Sequence, residues 1–119
     1  MNILTSSERQ QLLANGRLQR AAHRNGDHRV DFMPVVKLFT PYAGCCWLLT
    51  EIDPDNADRA FALRDLGRGV PDLGYVSLTA IQQLPDTMGM HVVRDRFFDT
   101  DKTISAFTQQ ARVAGKIIA

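Results

Sequence analysis

A chain of 119 residues, 45% apolar and 23% charged, has the size and composition of one packed domain, which excludes wholesale disorder. No apolar run approaches the roughly 18 residues that a membrane-spanning helix needs, and the opening MNILTSS lacks the charged-then-apolar layout of a signal peptide. A net charge of +1 is too small for a generic nucleic-acid binder and far from the acidity of a DNA mimic. The expected compartment is the cytoplasm, where thiols stay reduced.

Thr5-Ser6-Ser7-Glu8 reads as a capping box, with Thr5 as N-cap and Glu8 reaching back to its amide. The helix it opens is expected to stop at Asn15-Gly16. Arg17 to Arg24 then predicts a second short helix with Leu18, Ala21 and Ala22 turned inward, followed by a turn at Asn25-Gly26-Asp27. Val35 to Thr40, rich in β-branched and aromatic residues, predicts the first strand. Pro41 to Gly44 makes a turn, and Cys45 to Ile52 returns as the second strand of a hairpin. Asp53 to Asn56 is a polar connector. Ala60 to Leu66 is a third strand, with Phe61 and Leu63 on one face and Ala62 and Arg64 on the other. Gly67 to Gly74 reads as a loop. Tyr75 to Ser77 is a short strand that leads into a helix capped by Ser77, with Leu78, Ile81 and Leu84 inward and Pro85 after it. Val92 to Phe98 predicts a fourth main strand, and Ile104, Phe107, Ala111 and Ala114 recur at helical spacing after a Thr100-Asp101 start. The expected architecture is one α+β domain over residues 1–119: a small, mostly antiparallel sheet with an N-terminal helix, a helix after Ser77 and a C-terminal helix packed on it.

Most apparent motifs fail at the residue that does the chemistry. Cys45 and Cys46 are neighbours on a strand, so their side chains point to opposite faces and are expected to pack, not to act together. No Cys-x-x-Cys or nearby histidine completes a zinc set. Asp53-Pro54-Asp55-Asn56-Ala57-Asp58 begins like a calcium loop but has Asp58 where glycine is required. Gly67-x-Gly69 begins a dinucleotide fingerprint whose third glycine position holds Asp72. Gly69 to Gly74 has phosphate-loop spacing, but Tyr75-Val76 follows in place of lysine and a hydroxyl residue. No metal and no cofactor is therefore expected. His23, His28 and His91 are scattered and suggest no triad. Arg17, Arg20 and Arg24 would line one face of a helix, where they are either a solvated face or a grip for phosphates. Asp65 and Asp72 flank the glycine loop, and acid–base work there would require them to converge.

The blocks PVVKLFTP (Pro34 to Pro41), WLLTEIDP (Trp47 to Pro54), AFALRDLG (Ala60 to Gly67) and LGYVSL (Leu73 to Leu78) resemble the domain of unknown function 2958 family. The resemblance covers about residues 3 to 107. It implies a small bacterial protein typical of conjugative plasmids and integrative elements, and it assigns no reaction and no catalytic residue. The chain departs from the family's usual pattern at Tyr42, Cys45-Cys46, Arg68 and Val70.

Mobile elements carry small proteins that block restriction and CRISPR systems, so the expected function is a non-enzymatic, protein-binding inhibitor of a host defence complex. A nucleic-acid-associated factor for element maintenance or transfer is the main alternative, and an enzyme with a site at the glycine loop is the third. The working surface is expected at the 41–44 turn and the Gly67–Gly74 loop, with Tyr42, Arg68 and Asp72 contacting the partner.

Overall fold

The computed structural model describes residues 3–41, 43–84 and 91–119. In chain order its elements are helix α1 (Ser6–Arg24), strands β1 (Val36–Phe39), β2 (Cys46–Asp53), β3 (Asn56–Asp65) and β4 (Asp72–Ser77), helix α2 (Leu78–Gln82), strand β5 (Val93–Arg94) and helix α3 (Ile104–Ala114). The strands form one sheet in the order β4-β3-β2-β1-β5, and every neighbouring pair is antiparallel. The fold is α+β, as the patterning indicates.

The central strands β2 and β3 are rich in apolar residues because both of their faces are covered. Leu49, Ile52, Ala60 and Ala62 pack with Leu12 of α1 and with Leu78 and Ile81 of α2. Leu48 and Leu63 point the other way and pack with Ile104, Phe107 and Ala111 of α3. The sheet thus lies between α1 with α2 on one face and α3 on the other. A register shift between Leu49 and Glu51 marks a bulge at Thr50. The extra residue reverses the alternation, so Ile52 rejoins the α1 side and Glu51 turns to the opposite face beside Phe61.

The capping box of α1 forms as expected: Glu8 N donates to Thr5 Oγ1 at 3.1 Å and Thr5 N to Glu8 Oε1 at 2.9 Å. The helix does not stop at Asn15-Gly16, and there is no second short helix. Asn15 is buried and donates its amide to Thr50 O at 2.9 Å. Gly16 lies so close to β2 that a β-carbon there would fall 1.9 Å from the Ile52 carbonyl oxygen. Asn-Gly here marks a close helix–strand approach, not a helix end. The longer helix also carries Leu18 outward, 59% exposed, and leaves Ala21 exposed, contrary to the expected inward face.

Four other elements have boundaries that differ. β3 begins at Asn56, because Asp53 to Asn56 is a tight hairpin turn with Asp53 opposite Asn56. β4 begins at Asp72, which shortens the glycine loop. The expected strand at 92–98 is only Val93–Arg94, since the carboxylate of Asp95 accepts from Phe97 N at 2.9 Å and bends the chain away. α3 starts later than Thr100-Asp101, with Thr103 as N-cap. Its first amides are satisfied from a distance: Ser105 N donates to Asp31 Oδ1 at 3.0 Å and Ile104 N to Phe32 O at 2.7 Å. Ser77 caps α2 through Ala80 N, with Leu78 and Ile81 buried. Pro85 lies outside the described residues. Among the described residues no helix is long and apolar enough to cross a membrane.

Candidate functional site

Three segments meet at one end of the sheet. The β1–β2 hairpin is closed by Thr40, whose amide donates to Cys45 O at 3.0 Å and whose hydroxyl accepts from Cys45 N at 3.1 Å. The β3–β4 connection lies against this turn, with the β-carbon position of Gly67 only 3.5 Å from Ala43 O. Asp65 ties the C-terminal tail to the same place, because its carboxylate accepts from Gly67 N at 2.8 Å and Ile117 N at 3.0 Å. Beyond α3, the β-carbon position of Gly115 lies 3.7 Å from Gly69 O.

The two connections singled out from the sequence are therefore neighbours. Leu66, Arg68 and Val70 are exposed on the rim, Val70 at 74%. Among the described residues, Arg68 makes no hydrogen bond or ion pair. Asp72 is placed differently from expectation: it stands in β4, opposite Arg64, and accepts from that guanidinium at 3.2 and 2.9 Å. The Arg64 hydrogen bonds hold its carboxyl below the usual range. Tyr42, the third expected contact residue, lies outside the described residues. Asp65 and Asp72 do not converge, since one binds backbone amides and the other Arg64.

The cysteines divide between the two cores: Cys45 packs on the α1 side and Cys46 on the α3 side. Burial pushes the Cys46 thiol up to about 12, so it stays protonated and inert as a nucleophile. The acidic turn is spent on local bonds. Asp53 accepts from Asp55 N, Arg20 and Arg59, and Asp58 accepts from Ser77 Oγ and from both the amide and hydroxyl of Thr79. Among the described residues no three His, Cys, Asp or Glu side chains gather as a metal set.

A second polar region escaped the sequence reading. A cleft of about 270 Å³ is bounded by Gln19, Arg20 and His23 of α1, by Arg29 and by Glu51 and Tyr75 of the sheet. Glu51 is almost fully buried and pairs with Arg29 at 2.5 Å. Burial pushes the Glu51 carboxyl up, and the Arg29 charge only partly offsets this. The Arg29 guanidinium lies 3.4 Å over the Phe61 ring, which meets Tyr75 edge-on at 5.1 Å. Arg59 covers Tyr75 at 3.6 Å and pairs with Asp53, which also holds Arg20. The cleft's carboxylates and guanidiniums thus neutralise one another in pairs. Two signals pointed here: an acid inside the apolar run of β2, and Phe61 and Tyr75 on strands that pair. The bulge that turns Glu51 towards Phe61 has no such signal.

The same network breaks the arginine row on α1. Arg20 is held by Asp53 and Asp55, which leaves Arg17 and Arg24 exposed without it.

Fold and site together define a small α+β protein with one antiparallel sheet between helices and its glycine-rich connections gathered at one end. The chain belongs to the family described as protein of unknown function (DUF2958), whose match spans residues 3–118 and so takes in α3 and most of the tail as well as the four blocks. Neither a curated protein nor a solved structure matches it.

Proposed function

We propose that the protein is a non-enzymatic accessory factor of a mobile genetic element that binds and inhibits a host defence complex, of the anti-CRISPR or antirestriction kind. One observation carries the protein-binding part: the 41–44 turn and the β3–β4 loop meet and present Leu66, Arg68 and Val70 to solvent. Loops on a rigid sheet are where recognition is built, and an unpaired arginine among apolar groups suits a protein interface. The mobile-element setting rests on the family resemblance. The nucleic-acid reading is weakened by the commitment of Arg20 to Asp53 and Asp55. The enzyme reading loses its proposed acid–base pair, because Asp65 and Asp72 are held apart by local bonds.

The test is a tagged pull-down from a host with active restriction and CRISPR systems, followed by reconstitution with the purified complex. The expected result is stoichiometric capture of a defence complex and loss of its nuclease activity. Recovery of DNA alone, or turnover of a small molecule, would contradict the proposal.

A further inference from the structure

Among the described residues, the outer side of α3 has no partner. Its inner side buries Ile104, Phe107, Thr108 and Ala111, while Val113 on the outside is 92% exposed. A groove of about 510 Å³ follows this side between Lys102, Ala106, Gln109, Gln110, Val113 and Ile118. Ile118 also walls an adjoining groove of about 420 Å³ that includes Phe97, itself 87% exposed. At the other end the β-carbon position of Gly115 lies 3.7 Å from Gly69 O, next in the chain to exposed Val70. Single exposed apolar residues need no explanation, whereas a continuous strip does. Valine is also a poor helix former, and at this exposure the fold gives it nothing to pack on.

Charge says what fits there. Residues 102–119 hold three Lys/Arg and no acid. Lys102 lies along the groove, donating to Gln110 Oε1 at 3.1 Å. Arg112 and Lys116 are exposed, and neither makes a hydrogen bond or ion pair among the described residues. The acids Asp95 and Asp99 line the adjoining Phe97 groove, whereas the charged residue in the wall of the Val113 groove is Lys102.

We infer that this groove receives an acidic amphipathic helix of a protein partner, with its apolar side on Val113 and Ile118 and its carboxylates towards Lys102, Arg112 and Lys116. The 11 residues of α3 give a seat roughly 16 Å long, enough for about three helical turns. The inference rests on the protein-binding reading and adds the chemistry of the partner.

The experiment titrates the isotope-labelled full chain with four probes: a synthetic helical peptide with leucines at i, i+3, i+4 and i+7 and glutamates elsewhere, its lysine counterpart, a DNA duplex, and phosphatidylglycerol vesicles. The acidic peptide alone should shift the Val113 and Ile118 resonances. Its binding should weaken with salt and fall at least about tenfold in Val113→Asp at an unchanged thermal midpoint. Equal binding of both peptides, or no shift with the acidic one, would overturn the inference while leaving the loop-end reading open to its own test at Arg68. Binding of DNA or vesicles at these residues would overturn the protein-binding reading of this face as well. A concentration-dependent dimer dissolved by Val113→Asp would show that a second copy is the occupant, which also overturns the inference.

Discussion

Gly16 shows how one residue reverses an ordinary rule. A glycine inside a helix normally costs about 1 kcal/mol relative to alanine, so Gly→Ala is usually stabilising. Here the added carbon would stand 1.9 Å from the Ile52 carbonyl oxygen, which belongs to backbone in a central strand. Gly16→Ala should therefore destabilise by about 3 kcal/mol, the upper range of overpacking. Urea unfolding measures this, and a variant as stable as the parent would refute the close approach. Cys46 makes a second residue-scale case. With its thiol pushed up to about 12 by burial, it should resist alkylation at pH 8 in the folded protein and react once denaturant is added. Mass spectrometry of the labelled peptides would show the contrary if Cys46 were modified quickly in the native state.

At the scale of elements, the Arg29–Glu51 pair joins the segment after α1 to β2. Removing Arg29 leaves a nearly buried carboxylate without its cation. Since the arginine is about a third exposed, Arg29→Ala should cost about 2 kcal/mol, below the fully buried range. Glu51→Gln in the same chain should recover most of it. The pH dependence has two arms. Glu51 has a folded value raised by burial, so its ionisation works against folding at neutral pH, and stability rises as pH falls through that value. Asp53 and Asp72 have folded values lowered by hydrogen bonds, to Asp55 N and Arg64 foremost. Their stabilisation is complete above the unfolded carboxylate value of about 3.9 and is lost as pH falls through the folded ones. Thermal midpoints between pH 7 and pH 2 should rise and then fall, and Glu51→Gln should flatten only the upper arm. A separate link is Asp31, which caps α3 from outside the helix: Asp31→Ala should cost about 1 kcal/mol by denaturant unfolding. These elements also show what a sequence can disclose. The capping box, the Ser77 cap and the Val36–Asp53 hairpin were legible because each is made by residues close in sequence. The Thr50 bulge and the uninterrupted α1 were not, because contacts from other elements decide them, and β5 is cut to two residues by the Asp95–Phe97 turn inside the 92–98 run that reads as a strand.

For the whole molecule, the sheet order gathers the 41–44 turn, the β3–β4 loop and the C-terminal tail at one end, and the charged cleft opens elsewhere. Both loops of that end could be singled out from glycine and proline content, but their contact could not, since it depends on how the hairpins pair. Arg68 and Asp72 both keep the exposure expected of them, although Asp72 stands in β4 as the strand partner of Arg64. The Arg29–Glu51 network was invisible for the same reason as the bulge that orients it. We propose that this end of the sheet binds a protein of the host defence. The most direct test is the affinity of the purified defence complex for two double variants. Arg68→Glu with Tyr42→Ala alters the loop end, and Arg17→Glu with Arg24→Glu alters the exposed part of the α1 arginine row while sparing the Arg20 pairs. The account predicts at least about a tenfold loss for the loop-end variant, roughly 1.4 kcal/mol, with an unchanged thermal midpoint and near-parental affinity for the other. Parental affinity in the loop-end variant, with binding abolished by the arginine-row changes, would contradict it and place the working surface on α1.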